Sequence, residues 1–120
     1  MYLIDTSVWL KYFRGEGEGL ALKSRILDGS VVVHTLVLGE LLLGGLSQKN
    51  EDLLTGLERC DIPDPEVIIE RIKTPELAGK AIGWVDAVLI VSALKSKYKI
   101  ATFDNSLQSV ARDFDVIASL

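Results

Sequence analysis

Short apolar segments separated by helical patterns are the feature that most constrains the fold of this chain. The expected strands are Tyr2 to Ile4, Val31 to Val33, Ile100 to Phe103 and a closing Val116-Ile117. Their residues are continuously apolar, whereas a strand with one face in water would alternate polar and apolar residues. Apolar strands that alternate with helices are typical of a parallel sheet covered on both faces. We therefore expect one α/β domain over residues 1–120, with three α/β/α layers and a parallel sheet of four to five strands.

Capping and turn signals define the helices expected between these strands. Thr6 or Ser7, Thr35 and Asn50 are the expected N-caps of the first, third and fourth helices. Asp64-Pro65 and Thr74-Pro75 each predict a further helix start, with proline at the first helical position. Five further helices have both bounds: Leu20 to Leu27, Leu36 to Leu46, Glu51 to Arg59, Ala87 to Leu94, and about Asn105 to Arg112. The first helix is expected to end at Phe13, and two short helices are expected to begin at Pro65 and at Pro75.

Four acidic residues lie in apolar surroundings where an isolated carboxylate is hard to tolerate. Asp5 and Asp104 directly follow expected strands, and Asp86 opens the most apolar helix, where an N-cap role is the structural alternative. Glu40 has only apolar neighbours one helical turn away, so we expect it to be buried. Because ligands bind at the carboxyl ends of parallel strands, the fold is expected to bring the four acids together.

Clustered carboxylates point to a shared divalent cation. At an effective dielectric near 20, two carboxylates about 4 Å apart repel by about 4 kcal/mol, and a cation removes that cost. Mg²⁺ prefers oxygen ligands and commonly bridges carboxylates to phosphate. The single Cys60 and single His34 exclude an internal disulfide and zinc sites built mainly from His and Cys. The expected chemistry is hydrolysis of phosphodiester bonds by metal-activated water.

The net charge of the chain is a poor guide to whether it binds nucleic acid. A net charge of −4 and a pI near 4.9 ordinarily argue against binding to nucleic acid. Without the four acids, however, the chain carries 13 acidic and 13 basic residues, so the remaining surface is balanced. The first residues enter a strand pattern without a basic leader, and no apolar run reaches the roughly 18 residues of a membrane span. These features favour a cytoplasmic protein without membrane contact.

Four segments resemble one known family, the PIN-domain ribonucleases, and within it the VapC toxins of toxin–antitoxin pairs. The segments are Ile4 to Trp9, His34 to Leu41, Ile82 to Ala87 and Thr102 to Asp104. The resemblance implies a PIN-like fold and an endoribonuclease that cleaves RNA. It also implies homodimers and a cognate VapB-like antitoxin that blocks the site. The metal would be Mg²⁺ or Mn²⁺, held by the acids matching Asp5, Glu40, Asp86 and Asp104.

The resemblance also suggests roles for individual residues. The three aspartates are the expected direct ligands, and Glu40 is either a ligand or the carboxylate that orients water. Thr6 and Ser7 match positions that hydrogen-bond around the metal-binding aspartate, and Asn105 follows the last acid, where it could position water or metal. Arg14 precedes a glycine-rich loop. It could contact an RNA phosphate or an antitoxin carboxylate, and an unspecific surface position explains it equally well.

Other functions fit parts of the pattern. A phospho-acceptor receiver domain has similar length and Mg²⁺ dependence, but it needs an acid pair after the first strand, where Thr6 follows Asp5 here. A PIN domain that only binds proteins would not need the complete acid set. An RNA-processing nuclease that is not a toxin remains open. Trp9 and Trp84 could stack on bases, although their apolar helical context favours packing in the core or a dimer interface.

Overall fold

The protein is built around a four-stranded parallel sheet, in a computed structural model that describes residues 1–120. The strands are β1 (Tyr2–Ile4), β2 (Val31–His34), β3 (Glu58–Cys60) and β4 (Lys99–Ala101). Their order across the sheet is β3-β2-β1-β4, and every pairing is parallel. The predicted α/β class and parallel sheet are therefore confirmed, with four strands.

Seven α-helices and one short 3-10 turn connect and cover the strands. The helices are α1 (Thr6–Phe13), α2 (Leu22–Leu27), α3 (Thr35–Gly44), α4 (Gln48–Thr55), α5 (Pro65–Ile72), α6 (Trp84–Ser96) and α7 (Asn105–Asp113), and the 3-10 turn is Gly19–Ala21. No helix combines the length and the apolar character that crossing a bilayer requires.

Both faces of the sheet are buried. Val31, Val32 and Val33 point alternately to opposite faces, and all three are buried. Trp9 from α1 is fully buried, with its ring stacked on Phe13 at a centroid distance of 5.6 Å. Helices on both sides thus supply the cover that continuous apolar strands need, which explains why the strand segments do not alternate.

The strand order reverses at β1, and this reversal positions the site. From β1 the chain passes to β2 and then β3 on one side, and it returns later to place β4 on the other side of β1. In parallel sheets such a reversal opens a crevice outside the carboxyl ends of the two strands. Asp5 follows β1 and Asp104 lies three residues beyond β4, so both lie at this crevice.

Several predicted element boundaries are wrong. The helix expected over Glu51 to Arg59 ends at Thr55 and is followed by β3, an edge strand whose exposed Glu58 and Arg59 gave no apolar signal. Ser47, not Asn50, caps α4, and its hydroxyl accepts a hydrogen bond from Asn50 N at 3.2 Å. The Thr74-Pro75 signal starts no helix. The expected closing strand Val116-Ile117 is reduced to an isolated parallel bridge between Ile117 and Ile100.

Three helix starts also differ from the prediction. Asp5 rather than Thr6 or Ser7 caps α1, and His34 rather than Thr35 caps α3. In both cases the residue directly before the helix already has a side-chain acceptor, so the helix begins earlier than expected. Helix α6 starts at Trp84 after Gly83, which places Asp86 inside its first turn rather than at the cap.

Candidate active site

Asp5 is held rigidly where β1 passes into α1. Its Oδ1 accepts a hydrogen bond from Thr6 N at 2.8 Å, and its Oδ2 accepts from the hydroxyls of Ser7 at 2.9 Å and Thr102 at 2.7 Å. The side chain is only 8% exposed. Three donors offset the cost of burying the charge and fix the orientation of the carboxylate. The expectation that Ser7 hydrogen-bonds around Asp5 agrees with this geometry.

Thr102 joins the segment after β4 to the segment after β1. Its hydroxyl donates to Asp5 Oδ2 and also accepts a hydrogen bond from Asp104 N at 3.0 Å. Ser7 reinforces the connection, because its hydroxyl oxygen accepts from Phe103 N at 3.0 Å. We did not assign a role to Thr102 from the sequence. The available signal was a small hydroxyl residue two positions before a candidate ligand, at the end of a buried strand.

Asp104 caps α7 and faces the solvent. Its Oδ1 accepts a hydrogen bond from Leu107 N at 2.9 Å. The residue is exposed, so water solvates its charge and the fold does not require a metal to neutralise it. The cap nevertheless holds the carboxylate at the crevice beside Asp5, where it can contribute its second oxygen to a ligand.

Asp86 connects the four acids electrostatically. It lies half-buried in the first turn of α6. Burial is the main cause that raises the pKa of Asp86 from 3.8 to about 6, and the negative charges of Asp5, Asp104 and Glu40, in that order, contribute the rest. The other three carboxylates therefore lie close enough to Asp86 to act on its charge across the crevice.

Glu40 is exposed, which corrects the expectation that it is buried. The reason lies in α3, whose apolar residues occupy every side of the helix, so that some of them face the solvent. Leu43 is 92% exposed and lies one turn beyond Glu40. The hydroxyl of Thr6 donates to Glu40 Oε1 at 3.4 Å. Thr6 therefore links the Glu40 side of the crevice to the start of α1.

The donor chemistry of the crevice fits a hard divalent cation. Asp5, Glu40, Asp86 and Asp104 offer only carboxylate oxygens, the ligands that Mg²⁺ and Mn²⁺ prefer. No three or more His, Cys, Asp or Glu side chains are already close enough together to hold a metal. The four acids lie at one edge of the sheet, where a bound cation would offset the repulsion between their carboxylates.

The remaining predicted residues lie in different places. Asn105 is the first, exposed residue of α7, directly beside Asp104. Arg14 is the C-cap of α1, whereas Asp5 is its N-cap, so about 13 Å of helix separates their backbones. Its guanidinium pairs with Glu16 at 3.9 Å. The structure does not bring Arg14 to the acids, and its contact with RNA stays a prediction.

His34 is a structural residue beneath the site. Leu36 N donates to its Nδ1 at 3.1 Å, so Nδ1 is unprotonated and Nε2 carries the proton, which it donates to Ser92 Oγ at 2.9 Å. The Ser92 hydroxyl in turn donates to Val88 O at 2.7 Å. Burial lowers the pKa of His34 from 6.5 to about 4, against a weaker opposing effect of Asp61. The neutral ring thus ties β2 and α3 to α6.

Comparison with known proteins identifies the family of this chain. The profile of the PIN domain family matches residues 2–113. Ribonuclease VapC32 of Mycobacterium tuberculosis, from strains CDC 1551 / Oshkosh and ATCC 25618 / H37Rv, is 30% identical over 119 residues, covering 97% of this chain and 94% of the relative. The crystal structure of PAE2754 from Pyrobaculum aerophilum superimposes with a TM-score of 0.59 at 14% identity, over 91% of this chain and 78% of that one. At that identity the last likeness supports the fold alone.

Proposed function

This chain belongs to the PIN-domain family, as a VapC-type ribonuclease, and from that premise we propose that it is a Mg²⁺- or Mn²⁺-dependent endoribonuclease toxin. The observation that carries the proposal is the raised pKa of Asp86. It arises from burial and then from the charges of Asp5, Asp104 and Glu40, which indicates that the other three acids lie near Asp86 at the crevice. A set of oxygen donors that repel one another is suited to a divalent cation.

The residues of the chain have distinct roles in this proposal. Asp5, Asp86 and Asp104 would hold the cation, and Glu40 would be a further ligand or would orient the attacking water. Bound there, the cation would neutralise charge on the scissile phosphate and supply an activated water as nucleophile. Ser7 and Thr102 hold Asp5 in position, and Thr6 contacts Glu40. Asn105, directly after Asp104, would help to position water or metal.

A cognate VapB-like antitoxin is the proposed partner protein. The crevice presents two exposed acids, Glu40 and Asp104, which a cationic side chain of such a partner would pair with. We also propose a homodimer. Leu42 and Leu43, near the end of α3, are 44% and 92% exposed, and a second copy could cover them. RNA as the substrate and a cytoplasmic location complete the proposal.

RNA cleavage by the pure protein, free of antitoxin, tests the proposed activity. Single-stranded RNA is incubated with Mg²⁺ or Mn²⁺, with EDTA, and with the Asp5→Asn variant. Cleavage is expected only for the wild-type protein with the cation. The matched control is Glu70→Gln, which neutralises an exposed acid on α5 and should leave cleavage intact. Cleavage that persists in EDTA and in Asp5→Asn would refute the proposal.

The toxin role requires a test in cells. Induced expression of the wild-type chain should stop growth, and Asp5→Asn should not. Co-expression of a small neighbouring reading frame should restore growth by blocking the site. Unimpaired growth during expression of a protein that cleaves RNA in vitro would instead favour an RNA-processing nuclease.

A further inference from the structure

We propose that Trp84 and Lys80 form a nucleotide-binding subsite beside the acids, in which the indole stacks on one base of single-stranded RNA and the lysine pairs with a neighbouring phosphate. This inference rests on the proposed function, because it concerns how that RNA is held. The two residues and the cavity between them are called the Trp84 subsite below.

The position of Trp84 is unusual for a large apolar side chain. Its residue is 52% exposed, whereas Trp9 is completely buried. Of the two expected packing roles, the core of this chain is therefore wrong for Trp84, and packing in a dimer interface stays a prediction. It lies in the first turn of α6, two residues before Asp86. An exposed indole in the same helical turn as Asp86 is available to a base, since every base has a face that stacks on an aromatic ring.

A cavity of about 300 Å³ lies against the indole. It lies between the end of α5, the segment of residues 73–83 and the start of α6, and its apolar lining includes Ile72, Leu77, Ile82 and Ala87. This volume is at the lower limit of small-molecule sites, which suits one planar base rather than a longer ligand. An apolar lining with one aromatic wall also matches the faces of a base better than its polar edges.

Lys80 lies between this cavity and the start of α7, the helix that Asp104 caps. It lines the cavity together with Trp84, and it also lines an adjacent polar cleft with Asn105 and Ser106 at the start of α7. That cleft also contains Asp113, but Lys80 forms no ion pair with it or with any other acid. The ammonium group is therefore available to an anion between the Trp84 cavity and the residue that follows Asp104.

The backbone around Lys80 is constrained. Gly79 and Ala81, its two neighbours, both have positive φ, at 79° and 58°. The left-handed conformation of Ala81 is unfavourable for a residue with a Cβ, and such residues persist where the surrounding structure enforces them. This turn presents Lys80 between the two clefts.

The charge of the subsite favours RNA over an apolar peptide as occupant. A peptide side chain could fill the cavity, but it would make no use of Lys80 or of the serine and asparagine side chains at the start of α7. A strand of RNA places a negative phosphate within one nucleotide of every base. Base stacking at Trp84 and phosphate contact at Lys80 would thus hold two adjacent parts of the same strand.

Tryptophan fluorescence isolates the subsite, because Trp9 is buried and Trp84 is the only accessible indole. The titrations use the Glu40→Gln variant with Mg²⁺ and a decauridine RNA, and anisotropy of a fluorescein-labelled copy gives the affinity. We expect saturable quenching by the RNA. Trp84→Phe should abolish the quenching and keep the affinity within about threefold, since phenylalanine still stacks. Trp84→Ala should weaken binding roughly 5- to 100-fold.

Lysine variants test the phosphate contact. Lys80→Gln should weaken binding and reduce the slope of log affinity against log salt by about 1. Lys97→Gln is the matched control, because Lys97 is exposed at the opposite end of α6, and it should leave both quantities unchanged. Unchanged affinity in Trp84→Ala, or quenching that persists in Trp84→Phe, would overturn the inference.

The two proposals fail in different ways. If the wild-type protein cleaves RNA with Mg²⁺ and Trp84→Ala does so with the same KM and kcat, the subsite is refuted and the nuclease stands. If binding depends on Trp84 and Lys80 as described but the wild-type protein shows no cation-dependent cleavage, the subsite is supported and the proposed function is refuted.

Discussion

Thr102 donates its hydroxyl proton to Asp5 Oδ2 across 2.7 Å, although the two residues are 97 positions apart in the chain. The same hydroxyl oxygen accepts from the backbone N–H of Asp104 at 3.0 Å. One small side chain therefore sets the position of two of the four acids relative to each other. The arrangement depends on β1 and β4 being neighbours, which the reversal of strand order provides.

Thr102→Val tests this connection. Valine has nearly the same shape but no hydroxyl, so Asp5 loses a donor and the N–H of Asp104 loses an acceptor. We expect kcat/KM for RNA to fall about 10- to 100-fold, as for other residues that orient metal ligands. Unfolding free energy should fall by about 1–3 kcal/mol. Thr102→Ser keeps the hydroxyl and should retain most activity; equal losses in both variants would contradict an orienting role.

Asp86→Asn should stabilise the protein in EDTA at neutral pH. Because the pKa of Asp86 is raised to about 6 in the folded state, the folded protein loses stability as pH rises from about 4 through 6. Removing the charge should raise the free energy of unfolding by about 1 kcal/mol at pH 7.5, allowing for solvent screening of a half-buried group. The gain should vanish near pH 4. Thermal melts across this pH range would measure the stability difference, with Glu70→Gln as control. A gain in stability that does not change with pH would contradict the prediction.

His34 should produce the opposite pH dependence. Its folded-state pKa is lowered to about 4, so below pH 6.5 the unfolded chain takes up a proton that the folded protein excludes. Stability should fall by about 3 kcal/mol between pH 6.5 and 4. This slope is best measured in Asp86→Asn, where the opposing contribution is absent. Adding His34→Asn, which keeps an acceptor for Leu36 N, should lower overall stability but remove the slope.

Gly19→Ala tests the packing of the 3-10 turn on α1. A Cβ at Gly19 would lie 2.4 Å from Tyr12 N and 2.6 Å from the carbonyl carbon of Lys11, and backbone atoms cannot give way as a flexible side chain can. Urea unfolding should show a loss of about 1–3 kcal/mol. Gly17→Ala, with nothing within 4 Å of the added methyl, is the matched control and should change stability little. Equal stability of the two variants would contradict the close packing.

Most of the sheet was predictable, and the reason is its burial. The apolar residues of β1, of β2 and of β4 (Tyr2–Ile4, Val31–Val33 and Ile100–Ala101) are covered on both faces, so the sequence alone indicates these three strands. Strand β3 lies at the sheet edge with Glu58 and Arg59 exposed, and its pairing to β2 depends on backbone hydrogen bonds that leave no apolar pattern. The sequence pattern therefore does not predict β3.

The sequence predicts which acids belong to the candidate site, but it does not predict their solvent exposure or their hydrogen-bond partners. The positions of Asp5 and Asp104 after strands place them at one edge of any parallel sheet. The burial of Glu40, in contrast, was inferred from its apolar neighbours and is wrong, because α3 exposes part of its apolar surface. The role of Thr102 depends on a contact between distant segments, which no local pattern reports.

Glu40→Gln separates a catalytic carboxylate from a structural one. Glu40 is exposed, and its only side-chain hydrogen bond comes from Thr6 at 3.4 Å, which glutamine can also accept. The fold should therefore remain intact, with stability unchanged or slightly higher as repulsion toward Asp86 is relieved. RNA cleavage should fall by at least about 100-fold if this carboxylate binds the cation or orients water. The same change at Glu70 is the control, and thermal melts accompany the assay. Full activity in Glu40→Gln would remove this residue from the catalytic set, and loss of folding would show instead that its charge is structural.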